Sequence, residues 1–284
     1  MIETPFTDTD AWMLFYSEVE LPVLRRTVRE LDELRAIAEK VNGRVLASII
    51  LQDPLMTLRV LAYIEERRRK SQTADITTIE RALMMIGIDP FFAHFSQLPT
   101  IEDHLKGHSE ALLGLLKVIH RARRAAYWSR DWAILRHDLD VDEITVATLL
   151  HDAAEMLMWC FAPNLAIQAR NMQTRNRALR STYVQEQVYN TRLADLHTAL
   201  VKVWHLPELL THLMIRTDNP RVKNVTLAVD LARHSANGWN DAALPDDFTA
   251  IEELLHLSPE ALKHRLDIPE QPPTETHPAS QTPQ

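Results

Sequence analysis

Cysteine is nearly absent: Cys160 is the only one in 284 residues. That excludes an internal disulfide framework and any cysteine-based zinc site. It sits in "LMWCFAP", where a buried, inert thiol is expected. Glycine is scarce as well, with five in the chain. No GxGxxG, P-loop or GxSxG pattern occurs, so the chemistries built on those turns have no motif behind them. Basic charge is not in excess: 31 Lys and Arg against 39 Asp and Glu leave a net charge of −8. A net acidic chain is not built to coat DNA or an anionic membrane, whatever local patches it carries. The opening "MIETPFTDTDAWMLFY" has no basic leader before an apolar run. No apolar run approaches the roughly 20 residues that a membrane span needs. Neither a secretory signal nor a membrane association is expected, and a cytoplasmic location is.

What the chain does have is apolar residues, 46% by number, enough for a substantial core. They recur at helical spacing almost throughout, and strong helix formers dominate, so the fold class expected is all-α. Leu21, Leu24, Val28, Leu31 and Leu34 draw one stripe. Val45, Ile49 and Ile50 belong to a second helix that stops at "QDP", because Pro54 disfavours helical geometry in Asp53. Asp53 can then cap the next helix, with Pro54 in its first turn. Thr77 and Glu80 have capping-box spacing, and Gly87 fits the stop of that helix. "FSQLPTIEDHLKGH" reads as a connector before a long helix over about 109–135, then an acidic loop, then a helix over 142–161 with a core stripe of Ala147, Leu150, Ala154, Leu157 and Phe161. Further helices are predicted near 164–180, 182–204, 207–217, 220–237 and 247–257. One helical domain over about 15–260 is expected, with sub-lobes near 15–100 and 105–260. The tail over 267–284, rich in Pro, Thr and Gln, is predicted to be disordered.

Five segments in order, "IILQDPLMTLRVL", "ITTIERALMMIGID", "VATLLHDAAEMLMW", "VWHLPELL" and "LAVDLAR", resemble the HDOD family, signalling relatives of the HD-type metal-dependent phosphohydrolases. The resemblance covers roughly 21–238 and implies a multi-helix HDOD-like bundle. It also implies a place for a metal: HD enzymes set a His, a His-Asp pair and a later Asp around one or two ions. The corresponding residues here are His120, His151, Asp152 and Asp230. Imidazoles and carboxylates suit Mn²⁺, Fe²⁺, Mg²⁺ or Zn²⁺, and such an ion could activate water and polarise a phosphate oxygen.

Departures from the family pattern weigh against activity. Active HD enzymes often read HD-x-G-K, whereas this chain reads "HDAAE", with Glu155 where a phosphate-binding lysine would stand. Related sequences commonly carry histidines around the "W-x-LP" segment. Here those positions hold Leu193 before it and Thr217 and Asp218 after it, and Asp218 reads equally as a substitute ligand or a helix cap. The resemblance therefore implies a non-catalytic signalling or regulatory module that contacts a signalling protein partner, with a degenerate HD-type site and no obligate cofactor. The alternative is a metal-dependent phosphohydrolase acting on a nucleotide or cyclic dinucleotide. A nucleotide ligand fits either reading, and the oligomeric state is left open.

Other features have plainer readings. His137-Asp138 repeats the dipeptide in a loop, where solvated side chains at a helix start are expected. His197 is assigned no ligand role, and Trp159 and Trp204 are expected in the core. Three arginine groups stand out: Arg67, Arg68 and Arg69 with Lys70; Arg121, Arg123 and Arg124 with Arg130 near Trp128; and Arg170, Arg175, Arg177 and Arg180. The first reads as a solvated helix end or a docking patch, and the other two as surfaces that nucleic acid could meet through its phosphates. No recognisable nucleic-acid fold accompanies them, so nucleic acid is not the expected partner.

Overall fold

The computed structural model describes residues 1–38, 41–68, 76–176, 178–215 and 217–269. Most of the tail expected to be disordered lies outside the described residues, as do Arg69, Lys70 and Arg177 of the basic groups. Among the described residues the regular structure is helical, apart from one isolated parallel bridge between Val23 and Thr100. Helices α1 (Thr9–Glu18), α2 (Arg25–Arg35), α3 (Gly43–Ile50), α4 (Pro54–Arg68), α5 (Ile79–Ile86), α6 (Ile88–His94) and α7 (Ile101–His104) precede the long α8 (Ser109–Leu135). After it come α9 (Val141–Leu150), α10 (Ala153–Phe161), α11 (Pro163–Arg175), α12 (Ser181–Tyr189) and α13 (Leu193–Val203). The chain closes with α14 (Glu208–Met214), α15 (Pro220–His234), α16 (Leu244–Leu255) and α17 (Pro259–Arg265).

Helix α8 is the axis of the molecule, packing against α9, α10, α11 and α15. Its apolar stripe, Leu115, Val118, Ile119, Ala122 and Ala126, is buried at helical spacing. The main core runs without interruption from Trp12 to Val225. A smaller one joins Trp128 and Trp132 of α8 to α15, α16 and α17. Cys160 is free and fully buried, and burial pushes its thiol up to about 12, so it is inert at neutral pH.

One glycine explains a close approach. Gly114 lies inside α8, and a Cβ built there would stand 2.5 Å from Cζ3 and 2.6 Å from Cε3 of Trp159. The indole is a rigid, buried wall. In an open helix Gly→Ala gains about 1 kcal/mol. Here the clash outweighs it, and Gly114→Ala is expected to lose about 1–3 kcal/mol, the usual range for overpacking. A thermal melt checks this, and a rise in the midpoint would contradict the Trp159 packing.

The first turn of α4 is set as the sequence predicts. The Asp53 side chain accepts from the backbone N–H groups of Leu55 and Met56 at 3.0 and 3.1 Å. Its other oxygen reaches across to α2, accepting from Leu24 N–H at 2.7 Å and the Thr27 hydroxyl at 2.9 Å. Asp53 and Thr27 are buried. The "QDP" aspartate therefore caps one helix and fastens another.

Several predicted boundaries are corrected. The stripe from Leu21 is not all helical: α2 starts at Arg25, because the preceding residues extend to bond Val23 with Pro99 and Ile101. Thr78, not Thr77, caps α5, accepting from Arg81 N–H, while Thr77 donates to Glu143 at 2.8 Å. The connector after α6 contains α7, capped by Thr100. The predicted 182–204 helix breaks at Asn190, which adopts a left-handed φ of 56° and donates from its side chain to the Phe6 carbonyl. The stretch Val141–Phe161 is long and apolar enough to span a membrane, contrary to the sequence reading, but most of it is buried inside the protein. It is also two helices rather than the one predicted, and the break falls at His151-Asp152.

Candidate functional site

The break between α9 and α10 places the His-Asp pair at a junction of four helices. Asp152 leaves helical geometry at φ −95° and ψ 20°. It stands at the start of α10, yet its carboxylate does not cap that helix, because cations on neighbouring helices engage it. Arg121 of α8 donates to Asp152 Oδ2 from Nη2 at 2.5 Å and from Nε at 3.1 Å. The same Nη2 donates to Glu155 Oε2, one turn along α10, at 2.7 Å. Arg233 of α15 approaches Asp152 Oδ1 at 3.5 Å and Asp230 Oδ1 at 3.7 Å. His151 Nδ1 lies 3.2 Å from Asp152 Oδ1. Its ring lies nearly parallel to that of His197 of α13, with centroids 6.3 Å apart. His197 Nε2 in turn lies 3.0 Å from Met214 Sδ of α14.

The electrostatics are those of a closed joint. Burial pushes the Asp152 carboxyl up, but Arg121, the His151 hydrogen bond and Arg233 outweigh it and hold the group well below the usual carboxylate range. Burial disfavours the Arg121 cation, and Glu155 and Asp152 outweigh that in turn, raising its pKa further above ordinary arginine. Three carboxylates face two guanidinium groups, so the arginines offset two of the three negative charges without any further ion. Burial, helped by the nearby His151, depresses His197 from 6.5 to about 4.

That last shift sets a pH dependence. A histidine neutral in the fold and protonated when unfolded takes up a proton on unfolding between those two values. Its contribution is complete above about pH 6.5 and is lost as pH falls toward 4. At about 1.4 kcal/mol per unit, the loss is up to roughly 3 kcal/mol. The depressed Asp152 acts in the same direction lower down, its contribution fading as pH falls below the ordinary 3.8 and through its folded value. Denaturant unfolding from pH 7 to 4.5 is expected to show falling stability, with a shallower slope in His197→Phe. An equal slope in that variant would contradict a neutral His197.

The structure brings His151, Asp152 and Asp230 into one network and leaves His120 outside it. His120 and Arg121 are neighbours on α8, so their side chains leave the helix about 100° apart. Arg121 turns to Asp152, whereas His120 is exposed and lines a groove on another face. Among the described residues no three His, Cys, Asp or Glu side chains meet in a way that could hold a metal. The donor set does not fit a divalent ion: the Asp152 and Glu155 oxygens are already bonded to a guanidinium that cannot lose its proton. Asp218 is fully exposed, pairing with Lys223 at 3.4 Å, and Asn219 is the residue that caps α15. The second His-Asp dipeptide divides: His137 is exposed, but the Asp138 side chain is 7% exposed and paired with Arg221 at 3.0 Å, a correction to the solvated loop expected there.

Arg121 is the residue that sequence reasoning misassigned, grouping it with the surface arginines that follow it. The signal was present. Gly114, Val118 and Ala125 step by four and seven along the buried stripe, and Arg121 falls on that stripe, three residues after Val118 and four before Ala125. A charge on an apolar face calls for a buried partner.

An all-helical domain with an HD dipeptide at a helix junction defines the class. The HDOD domain model matches residues 21–220, and the chain belongs to the HDOD family. It is similar in structure to the MmoQ response regulator from Methylococcus capsulatus, with TM-score 0.69, 19% identity and coverage of 88% of this chain and 99% of that one. A virulence factor from Campylobacter jejuni gives TM-score 0.63 and 18% identity over 92% of this chain and 90% of that one. At these identities the likeness concerns the fold. Comparison with curated proteins finds no match.

Proposed function

We propose that the chain is a non-catalytic signalling module of the HDOD family, acting through contacts with a protein partner. The observation that carries this reading is the Arg121 guanidinium bonded to both Asp152 and Glu155. An internal cation holds the carboxylates that a catalytic ion would need, and so converts an HD-type centre into a helix joint. Membership of a family of signalling relatives and the fold shared with a response regulator support the regulatory part.

The second reading, a phosphohydrolase, draws on the convergence of His151, Asp152 and Asp230, but it requires Arg121 to leave its partners. Two experiments separate the readings. Tag-free protein incubated with Mn²⁺ and cyclic dinucleotides is expected to give hydrolysis at background. Cross-linking in cells followed by mass spectrometry is expected to yield one reproducible protein partner. Turnover that disappears in Asp152→Ala would overturn the proposal, and so would failure to recover any specific partner under several growth conditions.

A further inference from the structure

On a different face of α8 from Arg121, a groove of about 630 Å³ opens between α3, α5, α8 and α9. Its α8 wall presents His120, Arg123, Arg124, Tyr127 and Arg130, successive turns of one helix face. Ala47, Ile79, Val146 and Leu149 give it a buried apolar lining, and Arg44 stands exposed on the α3 side.

The charge of this groove runs against that of the chain. Four arginines line it against two acids, Glu80 and Asp142, in a protein of net charge −8. Asp142 is already held by Arg130 at 2.5 Å. Many arginines elsewhere meet carboxylates, among them Arg25 with Asp103, Arg59 with Glu20, and Arg265 with Asp131, although Arg136 bonds the Pro220 carbonyl instead. In the groove, Arg44, Arg123 and Arg124 have no carboxylate within ion-pair distance among the described residues. Arg123 donates to the neutral Gln52 side chain. Arg124 lies 4.5 Å over the Trp128 ring and reaches the Ser235 carbonyl at 3.4 Å. Arg123 and Arg124 are part-buried cations, and burial lowers the pKa of both. Asp53 and Glu30 act on Arg123 only from beyond ion-pair distance, and Arg26 opposes them. Part-buried guanidinium groups without a directly paired carboxylate are held at a cost that an anionic ligand would relieve.

We infer that this groove is a binding site for a phosphorylated small molecule of nucleotide size, distinct from the Arg121–Asp152 joint. The cavity is within the range that encloses such ligands. Guanidinium forks match phosphate oxygens in pairs. Tyr127, 69% exposed one turn beyond Arg123 and Arg124, supplies a face for a planar ring. A concave site with an apolar lining favours this ligand over an extended acidic peptide. The inference rests on other residues than the non-catalytic reading, and either can fail alone.

The test is isothermal calorimetry on the full chain with ADP, inorganic pyrophosphate and adenosine as probes, at low salt. ADP is expected to bind saturably, pyrophosphate more weakly and adenosine not at all. Arg44→Gln and Arg123→Gln are each expected to weaken ADP by about tenfold or more, the effect of losing one charge-assisted contact. Tyr127→Ala is expected to weaken ADP while leaving pyrophosphate unchanged. Arg170→Gln, on α11, is expected to change nothing. Among the described residues Arg44 makes no side-chain bond, so its variant keeps the test valid even if Arg123→Gln misfolds. Absence of saturable binding by ADP and pyrophosphate at millimolar concentration would overturn the inference. So would binding indifferent to Arg44→Gln and Arg123→Gln, or arginine-dependent binding of a poly-glutamate peptide in place of ADP.

Discussion

Arg121→Ala is expected to destabilise the protein by about 3–5 kcal/mol, the range for removing one partner of a buried ion pair. Arg121 is 16% exposed and Asp152 9%, so water cannot replace the lost guanidinium cheaply. Two carboxylates would be left side by side at the start of α10, with the weaker Arg233 contact at 3.5 Å as the remaining cation on Asp152. At about 2–4 °C per kcal/mol for a chain of this size, the melting midpoint should fall by about 10 °C. The informative companion is the triple substitution Arg121→Met, Asp152→Asn and Glu155→Gln. It removes Arg121 together with both carboxylates bonded to it, leaving Arg233 with Asp230, and is expected to recover most of the loss, because the cost arises from unpaired charge rather than from the absence of the ion pair. If Arg121→Ala melts within a degree or two of wild type, the joint does not hold the helices as described.

Asp53→Ala is expected to cost about 4 kcal/mol. The carboxylate accepts four hydrogen bonds, from Leu24, Thr27, Leu55 and Met56. Loss of a helix cap alone costs about 1 kcal/mol. Each donor stranded in the interior adds roughly 1–3 kcal/mol, reduced where water or a small shift satisfies it. Asp53→Asn separates the two jobs. Its amide keeps one accepting oxygen and turns an NH₂ toward the other pair of donors, so about half the loss should remain. Urea unfolding of the three proteins measures this, and an Ala variant within about 1 kcal/mol of wild type would contradict the cross-link from α4 to α2.

Local signals in the sequence reach as far as local physics does. The 109–135 helix and the Asp53 and Gly87 boundaries follow from spacing and capping, and the structure has them. The breaks at Asn190 and at His151-Asp152 do not, because Asn only permits the left-handed stop that it takes here and His-Asp is no breaker by itself. Each turns where a distant partner, the Phe6 carbonyl or Arg121, bonds its side chain. The candidate site shows the same division. His151, Asp152 and Asp230 could be picked out from motif order, while His120 lands in the groove because a single-residue step on α8 changes the face. Arg121 reads as a surface cation until the buried stripe of α8 is drawn with the residue on it. Of the groove arginines, Arg123, Arg124 and Arg130 were visible as a cluster and Arg44 was not, and which of them pair with an acid depends on the acids that the other helices bring near.

The central claim is that a guanidinium occupies the place of a catalytic ion. Metal analysis of tag-free protein, combined with calorimetric titration of Mn²⁺, tests it most directly. The account predicts no stoichiometric metal, no saturable heat at the junction, and a melting midpoint unmoved by Mn²⁺, since an ion that does not bind the fold cannot stabilise it. About one ion per chain, bound tightly and lost in both His151→Ala and Asp152→Ala, would contradict it.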